Sequence, residues 1–234
     1  MKTKIIYLFL FVWSFTNAQN NIVSEEILIT NESIQLPGTL TYFNDKSPLI
    51  IWVHGSGNVD RNGNQKPTIK ANYIKQFRDS INKHNISFFS YDKRTAIKRN
   101  FAFLKNMKFN GFESDLRQVI NHFKNDNRFS EIILIGHSQG SLTAMLAVEN
   151  VDKYISLAGI STPLDDFIVS EYQKANPVYG AIAKQHFDEL DKTDAIKEVN
   201  PILAHLLAKP NQQFMKSWIA YNPTEEIKKL TIPV

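Results

Sequence analysis

Residues 131–140 read Glu131-Ile132-Ile133-Leu134-Ile135-Gly136-His137-Ser138-Gln139-Gly140. The run from Ile132 to Ile135 is continuously apolar, as in a strand covered on both faces. The next five residues match G-x-S-x-G, and the apolar, Ala-bearing segment 142–148 that follows reads as a helix. Strand, tight turn, helix is the setting in which a serine is forced into a strained backbone conformation and its hydroxyl stands at the top of a sheet. Gly136 and Gly140 suit it, because side chains there would collide with the strand or the helix. The helix start adds local dipoles that favour developing negative charge. Without this context the five-residue pattern is weak, and Ser138 would simply cap a helix after a Gly-rich turn. In context, Ser138 is the candidate nucleophile.

Working outward, Leu49-Ile50-Ile51-Trp52-Val53, residues 86–91 and residues 154–158 form further apolar runs of buried-strand type. Residues 22–30 and 33–43 read as two strands separated by Asn31-Glu32, with Pro37-Gly38 expected to bend or end the second. Ile69, Tyr73, Phe77 and Ile81 recur every four residues with Ile74 beside them, which predicts a helix. Phe112, Leu116, Val119, Ile120 and Phe123 predict another. Strands alternating with amphipathic helices predict an α/β fold, a mostly parallel sheet flanked by helices over residues 19–160. Sites in such sheets form at the carboxyl ends of the strands. Residues 161–222 show no buried-strand run, and their helical patterns are broken at Pro163, Pro177, Pro201 and Pro210. They are expected to form a helical cap inserted over the site, with residues 223–234 returning to the core.

A second motif, His54-Gly55-Ser56-Gly57, follows the strand 49–53 directly. Acyl transfer develops an oxyanion that needs preorganised donors. One comes from the residue after the nucleophile, here Gln139, and the other from the loop after an earlier strand, here Ser56. His54, Gly55, Gly57, Gly136, His137 and Gly140 are the supporting residues of the two motifs. His137 is expected to be a packed neighbour rather than a base, since adjacent residues point in different directions. The 54–60 loop is not a dinucleotide fingerprint, because Asp60 stands where the third glycine would be.

These segments together resemble the serine α/β-hydrolases, in particular an exported esterase-like group with an HGSG loop, a YDKR segment and a GHSxG elbow. His54 to Gly57 with Asp60-Arg61-Asn62-Gly63 resembles that group's oxyanion loop. Tyr91-Asp92-Lys93-Arg94 resembles the segment after its next strand, and Ala158-Gly159 its following strand end. Where the group continues with glycines, this chain has Thr95-Ala96-Ile97. The resemblance implies hydrolysis of an ester or similar acyl bond through an acyl-enzyme on Ser138, with no cofactor and no metal. The substrate would be a small acyl compound or a peptide. A peptidase or amidase of the same fold and a non-catalytic binding relative are the alternatives.

A serine hydroxyl needs a base, and the base an orienting acid. The order in this fold is Ser, acid, His. After Ser138 the chain has only His186 and His205, both in the expected cap, and both read as partly exposed helix residues. The resemblance puts the acid after the strand that follows the cap and the His one strand later. Residues 230–234 read as the start of that acid-bearing strand, so the sequence is expected to be a C-terminally truncated piece of a longer enzyme, short by about 55 residues. Such a piece would turn over poorly and leave a raw sheet edge. Two other readings stay open: a naturally shortened, inactive relative, or His186 or His205 acting as base with Asp165, Asp166 or Asp188.

The bulk properties agree with a globular enzyme. The chain has 234 residues, 43% of them hydrophobic and 21% charged, which excludes disorder as its main state. It has no Cys, which excludes disulfides, Cys-ligated zinc, iron–sulfur clusters, a Cys nucleophile and a lipid-modified Cys. Residues 1–18 have a basic start, an apolar run over 5–15 and a small-residue end at Ala18. That is the pattern of a secretory signal peptide, and the run is too short for the ~20 residues a membrane span needs. The expected location is therefore periplasmic or extracellular. Cleavage would remove two lysines and lower the formal charge from +4 to +2. So small a surplus argues against a nucleic-acid or membrane partner. The basic segment 93–108, with Lys93, Arg94, Lys98, Arg99, Lys105 and Lys108, reads as a solvated loop rather than a rim for anionic substrates. Phe167, Tyr172, Tyr179, Phe187, Phe214 and Trp218 read as helix packing rather than as a pocket lining.

Overall fold

The computed structural model describes residues 22–234, so the expected leader, residues 1–18, lies outside the described residues. Among them run, in chain order, β1 (Val23–Asn31), β2 (Ile34–Tyr42), β3 (Ser47–Val53), β4 (Asn64–Gln65), β5 (Ile69–Lys70), α1 (Tyr73–Asn82), β6 (Ser87–Tyr91), α2 (Asn110–Phe123), β7 (Phe129–His137), α3 (Gln139–Met145), β8 (Lys153–Leu157), α4 (Leu164–Ala175), α5 (Pro177–Thr193), α6 (Ala204–Leu207), α7 (Gln212–Ile219) and α8 (Pro223–Ile227).

β3 shows why its sequence has no polar alternate. Leu49, Ile51 and Val53 enter the core shared with α2 and α3, where Leu116, Ile120 and Ala144 lie. Ile50 and Trp52 enter the opposite core, with Ile74 of α1. Both faces are covered, so Leu49 to Val53 are all apolar, and the polar Ser47 at the strand's start is buried with its Oγ hydrogen-bonded to Ser87 Oγ. The main sheet has the order β1-β2-β6-β3-β7-β8. β6, β3, β7 and β8 are parallel, and β1 and β2 add on antiparallel. From β3 the chain passes through α1 to β6 on one side, then returns through α2 to β7 on the other. Such a reversal opens a crevice at the carboxyl ends of the strands. Val53 pairs with Gly136, so the loops after β3 and β7 leave the sheet side by side.

Several local expectations are corrected. β2 runs through Pro37-Gly38 without ending. Its pairing with β6 begins at Gly38, and Pro37 contributes only a carbonyl, which accepts from Asp92 N–H at 2.7 Å. Ile69 is not part of α1 but sits exposed in β5. Asn72, at φ 50°, turns the chain between them, and its N–H donates to Asn64 Oδ1. β8 is not buried on both faces: it is the last strand of the order, and its Ile155 is 41% exposed. Only Tyr154 points fully inward, its hydroxyl donating to Ser141 O at 3.1 Å. Tyr154 N–H donates to Pro233 O at 3.0 Å, and Leu230 and Ile232 pack on the main core. Residues 223–227, expected only as a return path, form the short helix α8.

Helices α4 to α7 build a core of their own from Leu164, Ile168, Phe187, Leu190 and Met215, closed from below by Phe109, Phe112 and Leu142. The prolines expected to break this region do so, and they also stand at the starts of its helical segments. Pro177 is the first residue of α5, after Asn176 accepts from Val178 N–H, and Pro163 directly precedes α4. A proline there gives up an N–H that would have no partner anyway.

Candidate active site

Ser138 joins β7 to α3 with φ 51° and ψ −119°, a region that costs a residue with a side chain of order 1–3 kcal/mol. Its surroundings leave it no other shape. Its N–H donates to Leu157 O and its C=O accepts from Ser141 N–H, both at 2.9 Å. A Cβ on Gly140 would lie 2.2 Å from Val53 O, and one on Gly136 2.6 Å from Gly140 O. These approaches let strand, turn and helix touch backbone to backbone. Ser141 Oγ donates to Gly136 O at 2.7 Å and closes the turn from inside. The Ser138 side chain stands half-buried, its hydroxyl without a hydrogen-bond partner among the described residues.

The loop after β3 lies against this turn. A Cβ on Gly55 would sit 3.3 Å from Ser138 Cβ and 2.9 Å from His137 Nδ1. Ser56 and Gln139 line one cleft of about 720 Å³, and Gly57 lies on its wall. Neither the Ser56 nor the Gln139 N–H has an acceptor among the described residues. His54 is buried, with its Nε2 on the carbonyl of Tyr91 and its ring edge-on to the Tyr91 ring. The carbonyl only accepts, so Nε2 carries the proton. Burial pulls this imidazole down to about 4, which keeps it neutral. His54 therefore ties the ends of β3 and β6. His137 stacks on Trp52 at 6.0 Å between ring centroids, and burial lowers its proton affinity too.

The basic segment after β6 departs most from expectation. Lys93 and Arg94 are buried, not solvated. Lys93 Nζ donates to Gly55 O at 2.7 Å and to Gln139 Oε1, and lies 4.2 Å from the centre of the Phe112 ring. Burial pulls it down to about 7. Arg94 forms two 2.6 Å bonds with the buried Asp115 carboxylate of α2. Asp92 accepts from Arg61 Nε at 2.9 Å and from Arg61 N–H at 2.7 Å, which fastens the 60–63 turn to the strand end. Lys98, Arg99, Lys105 and Lys108 are exposed, as expected. One signal in the sequence bore on this difference: Asp92, Lys93 and Arg94 directly follow a buried parallel strand, where side chains point inward.

The other wall of the cleft comes from the helical region, including Leu164, Phe167, Ile168, Phe214, Met215 and Trp218. Three of the six aromatics expected only to pack helices thus line a cavity. Of the rest, Phe187 is buried in the helical core, Tyr172 Oη donates to Ile202 O, and Tyr179 is exposed. His205 lines the cleft and is exposed. His186 is buried rather than partly exposed, and its Nε2 accepts from Asn200 N–H at 2.9 Å, so that lone pair is taken. Asp188 pairs with Lys184 at the surface. Asp165 is half-buried, and burial raises its carboxyl; Asp166 is exposed. Among the described residues no group of His, Asp and Glu is placed to hold a metal ion, and no helix is long and apolar enough to cross a membrane.

No protein-family model and no curated protein matches the sequence. Solved structures do match. Alpha/beta hydrolase GrgF from Penicillium sp. sh18 superposes with a TM-score of 0.51 at 14% identity, over 89% of this chain and 77% of that one. DcsB, solved in complex with its substrate analogue, gives 0.53 at 13% identity, over 89% and 76%. Est1E from Butyrivibrio proteoclasticus gives 0.44 at 18% identity over 63% of this chain, which spans only 54% of Est1E. At these identities the first two likenesses speak for the fold alone.

Proposed function

From the premise that the chain has the α/β-hydrolase fold, we propose that it is a serine hydrolase acting on an ester or similar acyl bond through an acyl-enzyme on Ser138. One observation carries the reading: a non-glycine residue held at φ 51° between β7 and α3, with the Gly55 loop against it, while the next residue of each, Gln139 and Ser56, lines an apolar cleft. Fold strain of this kind persists where the surroundings over-determine it, and it clusters at reactive positions.

The chemistry follows from the groups. Ser138 Oγ adds to the acyl carbon while its proton passes to a base. The C=O electron pair moves onto oxygen, and the N–H groups of Ser56 and Gln139 hold that oxyanion. Its collapse expels the leaving group, which takes the proton back, and a water repeats the sequence to free the acid. The reaction asks for neither metal nor cofactor. Base and acid are proposed to come from beyond Val234, in the order acid then His. In support, His54 and His186 have Nε2 engaged elsewhere and His137 is stacked on Trp52. Residues 1–18 are proposed as a cleaved leader, which puts the enzyme outside the cytoplasm with a small acyl compound as its partner.

The test uses the full-length protein. Short-chain p-nitrophenyl esters are expected to be hydrolysed, and aminoacyl anilides much more slowly. Ser138→Ala is expected to lower kcat by about 10⁴-fold or more, and His205→Ala to leave it intact. Loss of activity in His205→Ala would hand the base role to the cleft histidine. Activity surviving in Ser138→Ala would end the serine reading.

A further inference from the structure

We infer that Lys93 is a positioning residue for the oxyanion donors: its ammonium grips the Gly55 carbonyl and the Gln139 side chain together, and so sets the Ser56 and Gln139 N–H groups against each other. The inference rests on the hydrolase reading of Ser138 and adds a residue to it.

The geometry is short. β6 lies beside β3, and β3 beside β7, at the carboxyl end of the sheet. Lys93, two residues past the end of β6, reaches across the end of β3 to the first residue of α3. Its Nζ is 2.7 Å from Gly55 O and also bonds Gln139 Oε1. The carbonyl of Gly55 and the N–H of Ser56 belong to one peptide plane and point opposite ways. Holding the first therefore aims the second. A cation on the carbonyl also polarises that peptide and strengthens the N–H as a donor. At Gln139 the same ammonium fixes the side chain of the residue whose own N–H is the other donor.

The cation has no carboxylate of its own among the described residues. Asp115 is taken by Arg94 and Asp92 by Arg61, while His54 beside it is neutral. His205 faces it across the cleft, and His137 lies behind Gly55. What holds the charge is two neutral oxygens and the face of Phe112 at 4.2 Å. A lysine only 5% exposed and so weakly compensated is costly. A negative charge appearing in the reaction relieves that cost, so the interaction is stronger in the transition state than in the ground state.

The test compares wild type, Lys93→Met, Lys93→Arg and Ser138→Ala of the full-length protein on a p-nitrophenyl ester, after melting curves establish folding. Lys93→Met is expected to lower kcat by about 10- to 100-fold, with KM moving less than about threefold. Lys93→Arg, which keeps charge and donors, is expected to recover part of the loss. The wild-type kcat should decline as pH rises above about 7, where the ammonium loses its proton, and Lys93→Met should lack that decline. A Lys93→Met kcat within twofold of wild type, with Ser138→Ala dead, overturns the role of Lys93 alone. An active Ser138→Ala overturns the hydrolase reading instead. Should Lys93→Met fail to fold, the wild-type Lys93 13Cε titration is followed with and without phenylboronic acid bound at Ser138. Its midpoint is expected to rise when the boronate anion forms, and an unmoved midpoint overturns the inference.

Discussion

Ser138 keeps its positive φ because Leu157, Ser141 and the two close glycine approaches fix the chain on every side. Gly140→Ala would drive a methyl to 2.2 Å from a backbone oxygen of β3, which cannot rotate away. Denaturant unfolding is expected to register a loss of about 1–3 kcal/mol or more. His54 makes a second residue-level expectation. Its imidazole titrates near 4 when folded and near 6.5 when unfolded. As pH falls below 6.5, the unfolded chain takes up a proton that the folded chain refuses until about pH 4. Stability should therefore drop across that window by about 3 kcal/mol. His54→Gln, which keeps a donor for Tyr91 O but does not titrate, should lose that part of the slope in a pH series of unfolding curves. The placement of Ser138, Ser56 and Gln139 just past the ends of β7 and β3 was legible because their motifs are local and follow apolar strands. Lys93 was legible only through its place directly after a buried strand; its partners Gly55 and Gln139 come from other strand ends, and no local pattern names them.

Between elements, the sequence spoke clearly where both sides of a strand are covered. β3 and β7 follow from the unbroken apolar runs 49–53 and 132–135, and β6 from an apolar stretch interrupted only by Ser87 and Ser90. β8 has a similar run but an edge position, which depends on what pairs beyond it and not on its own residues. The prolines of residues 161–222 marked real breaks, and a proline that ends one helical pattern also opens the next helix. The ion pair between Arg94 and Asp115 joins the β6 loop to α2 and has both partners buried. Asp115→Ala strands the guanidinium, and thermal or denaturant unfolding should show a loss of about 3–5 kcal/mol. Trp218 of α7 stacks on Phe109 at 5.1 Å and walls the cleft. Trp218→Ala is expected to cost about 3–5 kcal/mol. Hydrogen exchange should quicken over residues 164–219 while β3 and β7 stay protected.

At the level of the whole molecule, the sheet with its two cores and the helical region with its own meet at one place. The sheet brings the loops after β3, β6 and β7 together, and the helical region closes over them to leave about 720 Å³. Composition and periodicity indicated the sheet and a helical layer. They could not give the cleft, because its walls come from residues 56 and 218 alike, and only tertiary packing decides that Phe214 and Trp218 face a cavity while Phe187 fills a core. The basic segment shows the same limit from the side of charge: Lys93 and Arg94 went inward because a strand end and α2 were waiting for them. The most direct measurement is intact-mass and peptide analysis of the full-length protein after treatment with a fluorophosphonate. One adduct, on the peptide carrying Ser138 and lost in Ser138→Ala, is the expected result. A folded protein that takes no adduct, or takes it equally in Ser138→Ala, would contradict the assignment of this hydroxyl as the nucleophile.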